Sequence, residues 1–139
     1  MNDIISVLST NTAKKVTKGW GNELWLVAEG APFGFKMISI DAGRRTSLQY
    51  HERKEEANLL LRGSAILWYA DSLGDEVRKR DFHEGEVVHV RPGAVHRIEA
   101  VTDIVLVEVS TPELDDVIRV SDDFDRGNGR IEAEHQEGR

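Results

Sequence analysis

The chain contains no cysteine, so disulfides, thiolate metal sites and a cysteine nucleophile are excluded. No apolar run approaches the roughly 18 residues that a membrane-spanning helix requires. The opening stretch, Met1 to Leu8, lacks the basic start and long apolar segment of a secretion signal. The expectation is a cytoplasmic protein that does not engage a membrane. Basic charge is also short, with 18 Lys and Arg against 25 Asp and Glu and a formal charge of −7. Phosphate backbones demand a basic face, so nucleic acid is not expected as a partner. Most of the acidic excess falls after residue 112, where a solvated tail is expected.

What is present fits one ordinary domain. The 139 residues are 40% hydrophobic and 31% charged, enough to bury roughly two-thirds of the unfolded surface. Short apolar segments follow one another from Glu23 onward: Leu24–Ala28, Phe35–Ile40, Leu59–Arg62, Ala65–Tyr69, Val77–Phe82, Glu86–Arg91, His96–Val101 and Ile104–Ser110. Gly or Asp punctuates most of the gaps. In Phe35–Ile40 the pattern alternates, with Lys36, Ile38 and Ile40 on one face. About eight short strands at this spacing predict an all-β sandwich or barrel. Residues 1–17 read as an extension and 18–112 as the barrel. Residues 113–139 read as an acidic segment, helical or irregular, partly packed on the barrel and frayed at its end.

Two histidines carry the chemistry. His51 follows Gln49 by two residues, so both project to one side of a strand. Glu56 lies across a short bend and can return to that side. His96 follows the turn Arg91-Pro92-Gly93-Ala94-Val95. Two imidazoles, a carboxylate and an amide oxygen make a mixed N/O set for one divalent ion: Zn, Mn, Fe, Ni or Co. Glu108 stands in the apolar run Val105–Val109, where a carboxylate is costly unless paired. His89 interrupts Val87–Val90 and reads as a core histidine or a group behind the metal ligands. Trp20, Trp25, Trp68 and Tyr69 read mainly as barrel packing.

The spacing Gly43-x5-Gln49-x-His51-x4-Glu56-x6-Gly63 resembles the first cupin motif, with Gln49 in place of its first histidine. Gly85-x5-Arg91-Pro92-Gly93-Ala94-Val95-His96 resembles the second, with Arg91 in place of proline and Ala100 in place of asparagine. The resemblance implies a single cupin jelly-roll barrel. Within the cupins the chain is similar to the type II phosphomannose isomerase (mannose-6-phosphate isomerase) domain. That likeness rests on Lys18-Gly19-Trp20-Gly21, on Lys36 to Gly43, on Arg45 to His51, on His96-Arg97-Ile98-Glu99 and on Asp115 to Arg126. It departs in one segment: the family's H-H-H-R-x-E-H-W is His51-Glu52-Arg53-Lys54-Glu55-Glu56-Ala57-Asn58 here.

The family implies a metal-dependent aldose–ketose isomerase that moves a proton between adjacent carbons through an enediolate. A divalent metal would offset the developing charge, a base would carry the proton, and basic groups would hold the sugar phosphate. The resemblance assigns the metal to Gln49, His51, Glu56 and His96. It implies catalytic roles for Lys36, Glu108 and Arg97, and substrate contacts for Arg45, Lys18 and Trp20. A different metal-dependent cupin enzyme (a dioxygenase or a lyase) and a non-catalytic metabolite-binding cupin are the alternatives. By fold analogy, small cupins pair through edge strands, so a homodimer is expected.

Overall fold

A computed structural model describes residues 4–123 and, for the backbone, 129–131. The strands are β1 Lys14–Lys18, β2 Gly21–Trp25, β3 Gly34–Ile40, β4 Leu48–Tyr50, β5 Glu56–Arg62 and β6 Ala65–Ala70. They continue with β7 Arg78–Phe82, β8 Val87–Val90, β9 Val95–Ala100, β10 Ile104–Ser110, β11 Val117–Ser121 and β12 Gly129–Ile131. Every pairing is antiparallel. One sheet runs β1-β2-β3-β10-β5-β8 and the other β12-β11-β4-β9-β6-β7. From β3 onward the chain passes repeatedly between the sheets, the jelly-roll path that closes two sheets over one lumen.

The all-β cupin expectation is met. Strands also lie outside residues 18–112: β1 starts at Lys14, and β11 pairs with β4. The segment after residue 112, expected to be helical or irregular, instead forms a strand over Val117–Ser121: Val117 and Arg119 turn into the lumen while Ile118 and Val120 stay half-buried outside. The expected frayed end, after Ile131, lies outside the described residues.

Period-two alternation decides which side chains enter the lumen. On β3 these are Lys36, Ile38 and Ile40; on β5 Glu56, Asn58 and Leu60; on β10 Ile104, Leu106 and Glu108, all buried. Register aligns them in rows. Ile40 faces Ile104, Ile38 faces Leu106 beside Leu60, and Lys36 faces Glu108 beside Asn58. The second sheet adds Leu67 opposite Ile98 and Ala65 opposite Ala100. One end of the lumen is thus an apolar core that includes Leu60, Leu67 and Phe82. The other end is charged.

The turn from β5 to β6 needs Gly63. Its φ is +99°, and a Cβ there would lie 2.5 Å from the Asp103 carbonyl oxygen. No other residue meets both conditions cheaply.

Candidate metal centre

The segment between β4 and β5 carries His51 and returns to Glu56. Its shape is held by Asp116, whose buried carboxylate accepts backbone N–H bonds from Glu52, Arg53 and Lys54 at 3.1, 2.6 and 2.8 Å. The His51 carbonyl accepts the Gly93 N–H at 2.7 Å. This bond ties the first histidine segment to the turn that precedes His96. Gln49 sits directly opposite His96 in the β4–β9 pair.

The ring nitrogens of His51 and His96 converge on one oxygen. His51 Nε2 lies 2.7 Å and His96 Nε2 3.2 Å from Glu56 Oε1. Both rings are anchored from behind: His51 Nδ1 donates to the Asp116 carbonyl at 2.6 Å, and His96 Nδ1 donates to the Ala94 carbonyl at 3.1 Å. A carbonyl can only accept, so each Nδ1 carries the proton. In a neutral ring, Nε2 then presents a lone pair toward a carboxylate oxygen. Lone pairs facing one another at these distances require a cation or a proton between them. Backbone anchoring of the far nitrogen is the usual support for a metal-binding histidine. Among the described residues, His51, Glu56 and His96 form a group whose ligand atoms lie within 4.8 Å of one another, all buried. The donor set therefore fits a divalent ion. Gln49 lines the same cavity; its Oε1 accepts the Ser47 hydroxyl at 2.7 Å and keeps a second lone pair.

The cavity continues past these groups to Lys18, Trp20, Lys36, Lys54, Glu108 and Arg119. Of the residues expected at the site, Lys36, Glu108, Lys18 and Trp20 are thus in the same chamber as the candidate metal ligands. Lys36 Nζ donates to Glu23 Oε1 at 3.3 Å and lies 4.8 Å over the Trp25 ring. Trp25 Nε1 donates to the same Glu23 oxygen at 3.1 Å. Arg45 and Arg97 are elsewhere. Arg97 follows His96 in β9 and points to the opposite face, where its Nε donates to the Thr46 carbonyl at 2.9 Å. Arg45 grips Asp123 with two hydrogen bonds at 2.7 and 3.0 Å. Trp68 shares that outer face, with Arg45, Arg97 and Lys79 around its ring, so it is not barrel packing. His89 is also outside; its Nε2 meets Glu55 Oε2 at 2.6 Å.

Lys54, like Arg119, is a chamber cation to which the sequence reading gave no role. It is buried, with Nζ 3.6 Å from Glu108 Oε2 and 3.9 Å from Glu56 Oε2. Its signal was present: it occupies the arginine place of the altered H-H-H-R-x-E-H-W segment. Asn58, at the tryptophan place, donates to Glu56 Oε2 at 3.3 Å. Burial opposes the Lys54 charge, yet Glu108, Glu56 and Glu23 hold the ammonium above its ordinary range. Burial also opposes ionisation of Glu56, but the Lys54 charge, and then its contacts with Glu108, His51 and His96, keep its carboxyl well below the usual range. Burial first, and then the Glu56 charge, push Glu108 up to about 8 against the pull of Lys54. One carboxyl of the pair is charged and the other favours a proton.

The family model for the mannose-6-phosphate isomerase C-terminal domain matches residues 8–122. The chain belongs to that family. No curated protein matches it. Among solved structures, it resembles the capsular polysaccharide assembling protein CapF from Staphylococcus aureus, with a TM-score of 0.67 and 18% identity over 86% of this chain and 33% of that one. KdgF from Halomonas sp. gives 0.66 and 16% over 80% and 98%. A Lactobacillus farciminis oxalate decarboxylase formate complex gives 0.66 and 18% over 79% and 34%. The chain spans about a third of CapF and of the decarboxylase, and at these identities the likeness is one of fold. This cupin domain of the mannose-6-phosphate isomerase type has no helix long and apolar enough to cross a membrane among its described residues.

Proposed function

We propose that the domain is a metal-dependent sugar-phosphate isomerase of the mannose 6-phosphate type. The observation that carries this reading is one chamber lined by Glu56 and His96, which form a donor set with the buried His51 beside them, and by the cations Lys18, Lys36, Lys54 and Arg119. His51, Glu56 and His96, with Gln49 beside them, would hold the ion. When bound, the ion would supply electrostatic stabilisation of developing oxygen charge.

The protein's own groups do the rest. Lys18 and Arg119 offer the phosphate a cationic wall, Arg119 with a planar fork suited to two oxygens. Trp20 closes the chamber beside them. Glu108, opposite Lys36 in the β3–β10 register, acts in its ionised form: it takes the C2 proton and returns it to C1, while the hydroxyl proton at O2 passes to O1. Lys36 supports the charge of that carboxylate. Arg97 and Arg45 act from behind the wall, Arg97 by holding the Thr46 carbonyl and Arg45 by gripping Asp123.

Proton NMR of mannose 6-phosphate in deuterium oxide, with protein loaded with Zn, Mn, Fe or Ni and an EDTA control, tests the reading. Metal-dependent deuterium entry at C2 with appearance of fructose 6-phosphate is the expected result. No exchange with any of the four metals overturns it for this substrate.

A further inference from the structure

Arg119 is buried in the chamber and comes from β11. It stands directly opposite Gln49, and Gln49 stands opposite His96. Period two puts all three on one inward row, which runs from a cation to the candidate metal ligands. The β11–β4 ladder that sets this row is short. It registers Ile118 with Tyr50 and Arg119 with Gln49, then shifts before Ser121 meets Leu48. The irregularity therefore falls immediately after Arg119. Bulges of this kind beside a site re-aim a side chain, and the aim holds only if the chain beyond is fixed.

The chain is gripped on both sides of β11. Before it, the Asp116 carboxylate holds the backbone of residues 52–54. After it, Asp123 accepts Arg45 Nε and Nη2 at 2.7 and 3.0 Å, a bidentate pair. Arg97 Nη2, buried and making no hydrogen bond, lies 3.6 Å from the same oxygen that accepts Arg45 Nη2. Both arginines are fixed to the strand of His96. Arg97 belongs to β9 itself. The segment of Arg45 is bonded to β9 on either side: the Arg44 carbonyl accepts the Ala100 N–H at 2.8 Å, and the Thr46 N–H donates to the Ile98 carbonyl at 3.1 Å. The clasp thus ties the far end of β11 to the strand that carries a candidate metal ligand.

We propose that the Arg45–Asp123 clasp, with Arg97 behind it, is a positioning device that aims Arg119 into the chamber and so sets the affinity for a phosphate group. The proposal rests on the reading of Arg119 as a phosphate contact. Stability is a poor account of the clasp. The Arg45 and Asp123 side chains are 29% and 38% exposed, and pairs so exposed add little to a fold. The same weakness bounds the effect: a pair worth up to about 1 kcal/mol biases the placement of a strand by no more than about fivefold.

Calorimetric titration of inorganic phosphate into the manganese-loaded full chain tests this, with manganese affinity measured separately for each variant. Arg119→Gln is expected to weaken phosphate binding by about tenfold or more. Arg45→Gln and Asp123→Asn are each expected to weaken it about three- to fivefold and to leave manganese affinity unchanged. Asp123→Glu keeps the carboxylate and is expected to stay within about twofold of wild type. Arg80→Gln breaks a surface pair with Glu86 on β7, the opposite edge of the same sheet, and is expected to change neither affinity. Wild-type phosphate binding in Arg45→Gln and Asp123→Asn, beside weakened binding in Arg119→Gln, overturns the clasp and leaves the cationic wall standing. Unchanged binding in Arg119→Gln overturns the wall and the clasp together. Manganese affinity falling in step with phosphate affinity makes the clasp a plain support of β11 and Asp116, and overturns the positioning role.

Discussion

The two ends of one lumen are built from the same strands and do opposite work. On β3 the inward positions change from Lys36 to Ile38 and Ile40. On β5 they change from Glu56 and Asn58 to Leu60, and on β10 from Glu108 to Leu106 and Ile104. The apolar end gains stability from removing hydrocarbon from water. The charged end holds ions away from water, which costs free energy unless every charge is met. Lys54 between Glu56 and Glu108, and Lys36 with Glu23, meet those charges. A protein of this size retains such an end only at a cost in stability. The difference therefore teaches where function sits: in the half whose burial is unfavourable.

Substitutions separate the two ends. Leu60→Ala removes a fully buried side chain at the apolar end and is expected to cost about 2–5 kcal/mol. Urea denaturation would show the loss, with metal affinity unchanged in the protein that remains folded. Metal does the reverse. At a hundred times its dissociation constant, a divalent ion is expected to stabilise the fold by about 2.7 kcal/mol. Thermal melts with and without EDTA would show it, and Glu56→Gln or His51→Ala would abolish the shift.

Asp116→Ala tests what lies between the ends. Loss of an acceptor that holds three backbone N–H groups is expected to cost roughly 2 kcal/mol and to weaken metal binding about tenfold, since the second-layer support of a ligand typically matters to that extent or more. Calorimetric titration with Zn would measure the weakening. The smallest effect belongs to the outer face. The hydrogen bond from Arg45 comes first among the causes that hold Asp123 below its ordinary range. Its contribution is therefore present above the unfolded-state value and is lost as pH falls through the lower folded-state value. Asp123 is more than a third exposed, so Asp123→Asn is expected to cost no more than about 1 kcal/mol. Denaturation midpoints at pH 7 and pH 3 should show a gap between the two proteins that closes at the acid end.

The fold was legible because alternation is strong where strands are long. Phe35–Ile40 and Ile104–Ser110 announce both their conformation and their inward faces. The three-residue β4 is too short to do so, and β11 hides its alternation because Arg119 faces inward while Ile118 and Val120 face outward. His51, Glu56 and His96 were legible through their spacing. Lys54 was obscured by the run Arg53-Lys54-Glu55, which looks like a solvated turn; its burial depends on Asp116, more than sixty residues away, capturing the backbone. The position of Arg97 follows from period two alone: a residue next to His96 in a strand faces the other way. Trp68, next to inward Leu67, obeys the same rule.

The central claim is that the charged end of the lumen is a metal centre. Anomalous diffraction from crystals grown with Zn, collected on either side of the absorption edge, tests it most directly. The account predicts one peak bonded to His51 Nε2, His96 Nε2 and a Glu56 oxygen, absent from Glu56→Gln crystals. Fully ordered His51, Glu56 and His96 with no peak between them at saturating Zn would contradict it.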